Sequence, residues 1–290
     1  MRTKTNITLK ESFLNQHPKY PIIIKRWEES TKTEFNFQNI TSYNLKVFRD
    51  HLLRCMSRNG AKTYIAKFCS VLNLHTDTVK LPYNWKSYIC VKPDSSQQTY
   101  LNKREIKAIF EYKAKNLTER VVQLQFILGC LTGARRSDYI NFTKNNIHKN
   151  NLIYCAKKTG TSVTVPVTKA TRNILKELDE INHNIKNMSS VHFNNTLKRI
   201  CKAVGIKKVL TLHWHGVTET LHKYEFVSSH TARRSFATNL YIDGVDIYDI
   251  SKMCVHSNIS ITERYICSNV VFRNKIKKHF DCYDEMLCVN

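Results

Sequence analysis

Apolar residues recur at helical spacing from Ser42 onward, with Leu45, Phe48, Leu52, Leu53 and Met56 on one face. The spacing predicts a helix with Ser42 as its N-cap and Gly60 as its terminator. A second helix follows, with Tyr64, Ile65, Phe68, Cys69 and Leu72 on one side and Lys62 and Lys67 on the polar side. Residues 1–34 are polar and weakly patterned, and PKYP breaks any long helix there. Between Leu81 and Tyr100 the periodicity fails, and two prolines with an SSQQ run read as an interdomain linker.

Beyond the linker, Asn102 to Glu105 fits a capping box that opens a helix through Phe110. Val121 to Leu131 is apolar almost throughout, which predicts a buried helix ending at Thr132-Gly133. Over 152–168 the period changes: LIYCA and SVTVPV are β-rich runs around KKTGT, a hairpin with Gly160 in its turn. Helical patterns return at 169–181 and 193–204, and the stretch 211–229 is irregular. Three helices follow over 231–242, 246–255 and 258–266, the first closed by Gly244. The expected fold class is α+β and mostly helical. An all-helical module over 1–94 precedes a second domain over 98–290, whose helices carry a small antiparallel sheet.

Charge changes the picture. The 290 residues include 46 Lys+Arg against 23 Asp+Glu, a formal balance of +23. The excess is +9 over residues 1–94 and +14 over the remainder, so no single basic tail accounts for it. A polyanion spanning both domains does, and nucleic acid is the commonest such partner. With only 7 Gly and 5 Pro, a collagenous or low-complexity chain is excluded. No run approaches the roughly 18 consecutive apolar residues of a membrane span. The start, MRTKTNITLKESF, lacks the apolar core of a secretory signal, so a soluble cytoplasmic chain is expected.

Ten cysteines are scattered through apolar helical patterns without a CxxC pair, which predicts mostly reduced, buried thiols and no zinc ribbon. His213, His215 and His222 are the nearest approach to a metal set, and neither carboxylate nor Cys joins them at ligand spacing. No GxGxxG, GxxxxGK[ST] or HExxH occurs, so no nucleotide, metal or other cofactor is expected.

The remaining chemistry sits at element ends. TGARRSD places Arg135 at the start of a helix behind a glycine turn, and the hairpin tip presents Lys157 and Lys158. HTARRSFATNL sets His230 and Arg233 one helical turn apart, so both can face one site. VHSNISITERY puts His256 nine residues before Tyr265. Fixed cations of this kind suit the negative equatorial oxygens of a phosphodiester transition state. A tyrosine phenol, with a pKa near ~10, leaves well enough for its phosphoester to store the bond energy.

In order and spacing, TGARRSD, KKTG, HTARR and VHSNISITERY resemble the four signature boxes of the tyrosine recombinase (phage integrase) family, over about 98–270. The phrase TYLNKREIKAIF is similar to integrases of Bacteroidetes mobile elements. The resemblance implies a SAM-like core-binding domain before the catalytic domain. It casts Tyr265 as the nucleophile forming a 3′-phosphotyrosyl bond, and Arg135 and Arg233 as clamps on the non-bridging oxygens. Lys158, favoured over Lys157, would protonate the leaving 5′-oxygen; His230 would be the acid/base, and His256 would hydrogen-bond the phosphate. It further implies double-stranded DNA as partner, a homotetramer on two synapsed sites, and accessory DNA-bending proteins. A C-terminal segment using Val270, Val271, Phe272, Ile276 and Phe280 would dock on a neighbouring subunit or on its own chain.

Two positions depart from the family pattern. Cys254-Val255-His256 stands where Leu-Gly-His is usual, and Arg136 occupies a usually apolar position, from which it would reach DNA or an acidic neighbour. Three rivals share some of these features: a relaxing enzyme of the type IB topoisomerase kind, a non-cleaving DNA-binding regulator, and a metal-dependent nuclease.

Overall fold

In the computed structural model, residues 7–94, 97–181, 187–214 and 217–266 are described below. They pack as two compact units, one of residues 7–94 with 213, 214, 217 and 218, and one of 97–181, 187–212 and 219–266. The tail residues Val270, Val271, Phe272, Ile276 and Phe280 lie outside the described residues, as does His215.

The first unit is built from α1 (Leu9–Gln16), α2 (Ile22–Thr31), α3 (Ser42–Cys55), α4 (Arg58–Leu74) and α5 (Trp85–Ile89). Trp27 of α2 sits at its centre, its ring 5.3 Å from those of both Phe48 and Phe68. Burying such aromatics supplies much of a small unit's stability. Three expectations need correcting here. Residues 1–34 hold two helices: Thr8 and Glu11 form a capping box on α1, and Leu9, Phe13, Ile23, Ile24 and Trp27 are buried. Thr41, not Ser42, caps α3, and Gly60 ends nothing. Gly60 lies in the first turn of α4, where its N–H donates to Oγ of the N-cap Ser57. The stretch read as linker begins as core, because Trp85, Ile89 and Val91 are buried against the same aromatics.

The second unit begins with α6 (Lys103–Phe110), opened by the expected Asn102–Glu105 capping box. At its centre is α7 (Leu117–Thr132), apolar on nearly every side and buried accordingly. Around it lie α9 (Lys169–Asp179), α10 (Ser190–Ala203) and α11 (Ser229–Ile242), with the short α8 (Arg136–Tyr139) after α7. Glycine at 129 lets α7 approach closely, since a Cβ there would stand 2.8 Å from Tyr139 and 3.0 Å from Ala232. The predicted hairpin forms as β2 (Asn151–Cys155) and β3 (Ser162–Pro166), antiparallel with Tyr154 opposite Val163, and the two-residue β1 (Ile147–His148) extends it to three strands. Leu152 and Tyr154 point to the core, Ile153 and Cys155 away, as the period of two requires.

One segment differs outright. The stretch 211–229 is no loop: β4 (Val209–Trp214) and β5 (Val217–His222) form a second hairpin, followed by a 3₁₀ turn and α11. The chain closes with α12 (Ile247–Met253) and α13 (Ile259–Tyr265). Of the seven described cysteines, Cys130, Cys201 and Cys254 are buried while Cys55, Cys90 and Cys155 are exposed, so burial is less general than expected. No helix among the described residues is long and apolar enough to cross a membrane.

Candidate active site

Four helix ends and one hairpin tip converge in the second unit. Helix α7 ends at Gly133, whose φ of +65° sends the chain sharply into Arg135. A Cβ at Gly133 would stand 2.4 Å from the Phe236 ring, so both conformation and space demand glycine. Arg135 is then the N-cap residue of α8, half-buried.

Arg233 is buried to 1% exposure on α11. It donates from Nη1 to the Gly133 carbonyl at 2.7 Å and from Nη2 to the Cys254 carbonyl, and so ties the end of α7 to the end of α12. Among the described residues no carboxylate pairs with it, and its Nε has no partner. A buried cation compensated by carbonyl dipoles and one aromatic ring, with no opposite charge, is costly, and an arriving anion relieves that cost.

His256 follows directly from the way α12 ends. Val255 N–H donates to the Lys252 carbonyl at 2.9 Å and His256 N–H to the Ser251 carbonyl at 3.0 Å. This is the paired bond pattern of a Schellman cap, whose left-handed position normally goes to glycine. Here Val255 occupies it with φ +49°, and the departure noted in the sequence becomes a backbone fact. His256 Nδ1 meets Thr262 Oγ1 at 2.9 Å, while its buried Nε2 has no partner among the described residues.

Tyr265, at the end of α13, completes the group. Its hydroxyl lies 2.6 Å from His230 Nε2, its ring 4.6 Å from the His256 ring, and the Arg233 guanidinium carbon 5.7 Å from its centroid. Thr238 Oγ1 donates to the Tyr265 carbonyl at 3.2 Å and fixes the backbone beneath it. Burial, reinforced by Arg234, Arg233, Arg135 and Lys158, pushes His230 down to about 4. Burial together with Arg233, Arg135 and His230 pushes His256 down to about 3. Both rings are therefore neutral near pH 7 in a strongly positive field. His230 can accept a proton from Tyr265, and His256 can donate from Nε2 when Nδ1 accepts from Thr262.

The structure thus brings Arg233, His230, His256 and Tyr265 into direct contact, with Arg135 and Lys158 close enough for their charges to act on His230. Lys157 and Lys158 are exposed at the β2–β3 tip, where Gly160 takes φ +66°. Two contributors escaped the sequence reading. Asp138, 3% exposed, accepts the Lys157 backbone N–H at 3.0 Å and so tethers the hairpin tip to the helix that follows Arg135; its Oδ2 has no partner among the described residues. Thr262 orients His256. The only sequence signal for either was one-turn spacing from a named residue. Arg136, expected to reach DNA or an acid, instead turns inward: it donates to the Met188 carbonyl and Ser190 Oγ and stacks 4.8 Å over Phe193. Among the described residues no cluster of three or more His, Cys, Asp or Glu is arranged to hold a metal ion.

The sequence pattern of the phage integrase family matches residues 99–270. The tyrosine recombinase XerD of Halalkalibacterium halodurans is 27% identical over 166 residues, 51% of this chain and 50% of that protein, so the chain spans about half the length of that relative. In fold, the chain is similar to the Tn1549 transposon integrase solved in complex with a circular intermediate DNA, with TM-score 0.65 and 12% identity over 90% of this chain and 95% of that one. It is likewise similar to a lambda integrase tetramer bound to a Holliday junction, with TM-score 0.64 and 16% identity over 91% and 78%. At these identities the structural likeness is one of fold.

Proposed function

The chain belongs to the phage integrase family, and on that premise we propose that it is a site-specific DNA recombinase whose nucleophile is Tyr265. The observation that carries this reading is the phenol of Tyr265 held 2.6 Å from a neutral His230 beside a buried, carboxylate-free Arg233. Residues 1–94 would grip duplex DNA as the core-binding domain, and 98–290 would perform the chemistry.

In the proposed step the Tyr265 oxygen attacks the scissile phosphorus and its proton passes to His230 Nε2. The bond from phosphorus to the 5′-oxygen breaks, and Lys158 supplies the proton that the departing oxygen takes. Arg135 and Arg233 hold the non-bridging oxygens; planar guanidinium groups match that geometry in pairs of hydrogen bonds. His256 adds a hydrogen bond from Nε2. The 3′-phosphotyrosyl ester keeps the energy of the broken bond, so rejoining needs neither ATP nor metal. Attack by a 5′-hydroxyl from a second duplex reverses the chemistry and exchanges strands.

Exchange between two duplexes calls for two sites and four protomers, the arrangement that the lambda integrase tetramer adopts on its Holliday junction. We assign the same homotetrameric assembly here, assisted by DNA-bending proteins, in integration, excision or inversion of a mobile element on the bacterial nucleoid. The net charge of +23 supports duplex binding, which should weaken steeply with salt.

Covalent trapping tests the reading. Wild type and Tyr265→Phe are incubated in chelator with labelled, nicked duplexes from the DNA flanking the gene, then run on a denaturing gel. A chelator-resistant adduct made by wild type and absent from Tyr265→Phe is expected. An adduct that persists in Tyr265→Phe, or sequence-specific binding without any adduct, refutes the assignment.

A further inference from the structure

One departure from the family pattern takes no part in the chemistry above. Arg136 follows Arg135 directly, yet its guanidinium is held at the N-terminal end of α10. There Nη2 donates to the Met188 carbonyl and Nη1 to Ser190 Oγ at 3.2 Å. The guanidinium carbon stands 4.8 Å from the ring centroid of Phe193, which is fully buried.

Electrostatics disfavours a cation in this place. Among the described residues no carboxylate pairs with Arg136, and its buried Nε has no partner. Burial holds the group below the ordinary arginine range. The N-terminal end of α10 is also the positive end of its helix dipole, and Arg135 adds a like charge next in sequence. An apolar side chain over Phe193 would escape all of these effects. Stability therefore does not explain the arginine. What an arginine does supply is a planar fork together with a stacking face, and the two fix α8 on α10 in direction as well as distance.

The same end of α10 holds a second element. Asn194, next to Phe193, accepts the Ser229 N–H on Oδ1 at 2.9 Å. Ser229 is the first residue of α11, where an amide has no acceptor within its own helix, and His230 follows it. Arg135 and His230 are thus each next in sequence to a residue anchored on the start of α10. We propose that Arg136 is a positioning residue: together with Asn194 it braces α8 and α11 on the N-terminal end of α10 and so sets the spacing of Arg135 from His230. Its effect on rate rests on the recombinase reading; the brace itself does not.

Two readouts on the full-length chain test the brace, with Arg136→Met, Arg136→Lys and Asn194→Leu. The first is hydrogen exchange of the Ser229 amide, followed by NMR without DNA. It should quicken about tenfold in Arg136→Met, although the substitution is on another helix, while the thermal midpoint stays at or above that of wild type. The second is single-turnover adduct formation on a nicked duplex at saturating DNA. Arg136→Met and Asn194→Leu should each slow it about tenfold, since small displacements of reacting groups cost this much. The double variant should be little slower than either, because both substitutions cut one brace. Duplex affinity should stay within about twofold of wild type, and Arg136→Lys, which keeps the charge without the fork, should remain slow. Unchanged Ser229 exchange in Arg136→Met, or a wild-type rate in Arg136→Lys, overturns the proposal. A slower rate that accompanies a lowered thermal midpoint marks a packing contact alone and overturns it too. Weakened duplex affinity with a wild-type rate at saturation makes Arg136 a DNA contact instead. If wild type forms no adduct, the recombinase reading fails, and Ser229 exchange still decides the brace.

Discussion

Among the described residues with a left-handed backbone, Val255 is the β-branched one, the side-chain type that tolerates that conformation least. The residue sits at the left-handed position of the cap that ends α12, at φ +49°, and the next residue is His256. A left-handed conformation costs a residue with a Cβ roughly 1–2 kcal/mol, and glycine pays nothing there. In an ordinary helical or extended position the order is reversed, glycine being worse than alanine by roughly 0.5–1 kcal/mol. Subtracting the second effect from the first leaves Val255→Gly more stable than Val255→Ala by about 0.8 kcal/mol, the midpoint of a span of about 0–1.5 kcal/mol. Wild type regains part of the deficit because Val255, half-buried, packs on the core of the second unit. Alanine keeps the conformational cost and loses that packing, about 0.8 kcal/mol for each fully buried methylene and less here. Urea unfolding of the three proteins, compared at equal m-value, reads the ranking directly. Should Val255→Ala equal or exceed Val255→Gly, the cap is not held left-handed and the account of how His256 is aimed fails.

Stability should also track the two depressed histidines. Above pH 6.5 both are neutral in the folded and unfolded chain, and as the pH falls toward 4 the unfolded chain takes up protons that the folded one refuses, so stability is lost across that window. For His230, a fall of about 2.5 in pKa corresponds to about 3 kcal/mol; His256, half-exposed, contributes less, and denaturation of wild type and His230→Gln at pH 7.5 and pH 4.5 should show the gap between them shifting by a value of this order. Gly133→Ala should cost at least about 2 kcal/mol, combining the left-handed penalty with a Cβ driven into the Phe236 ring, and should lower cleavage by moving the carbonyl that anchors Arg233; a thermal midpoint equal to wild type would count against it. Asp138→Ala should free the hairpin tip and slow adduct formation while duplex affinity stays within a few-fold of wild type, whereas Asp138→Asn, which keeps an acceptor oxygen for Lys157 N–H, should recover part of the rate.

Legibility in the sequence followed the strength of the local signal. Helix α7 could be read because only Gln123 and Gln125 interrupt its apolar run from Val121 to Leu131 and Gly133 stops it, and α6 because Asn102 and Glu105 reciprocate as caps. The first hairpin declared itself by a change to period two with Gly160 between the runs. By contrast, among the described side chains β4 and β5 bury no continuous face, β5 holding only exposed and half-exposed positions, so hydrophobicity carried no period to detect. Gly60 illustrates a different failure. Glycine marks helix ends, yet it also tolerates a first turn, and Ser57 three residues earlier was the cap that decided between the two.

The same distinction runs through the site. His230 and Arg233 share a helix, so spacing alone sets them on one face, and the intervals to His256 and Tyr265 are short enough for two small helices to bridge. What spacing does not encode is the main chain as ligand. Arg233 is held by the carbonyls of Gly133 and Cys254, contributed from positions 100 residues before it and 21 after it. A carbonyl has no residue type, so no sequence pattern marks it. The arginine is buried before any phosphate arrives because those two helix ends supply unpaired carbonyls where α7 and α12 terminate. A glycine turn at Gly133 and a left-handed cap at Val255 are what aim them. The chemistry of the site thus depends on how two helices stop, which is why Gly133 and Val255, neither of which reaches the phosphate in the proposed step, are the residues whose substitution tests it most sharply.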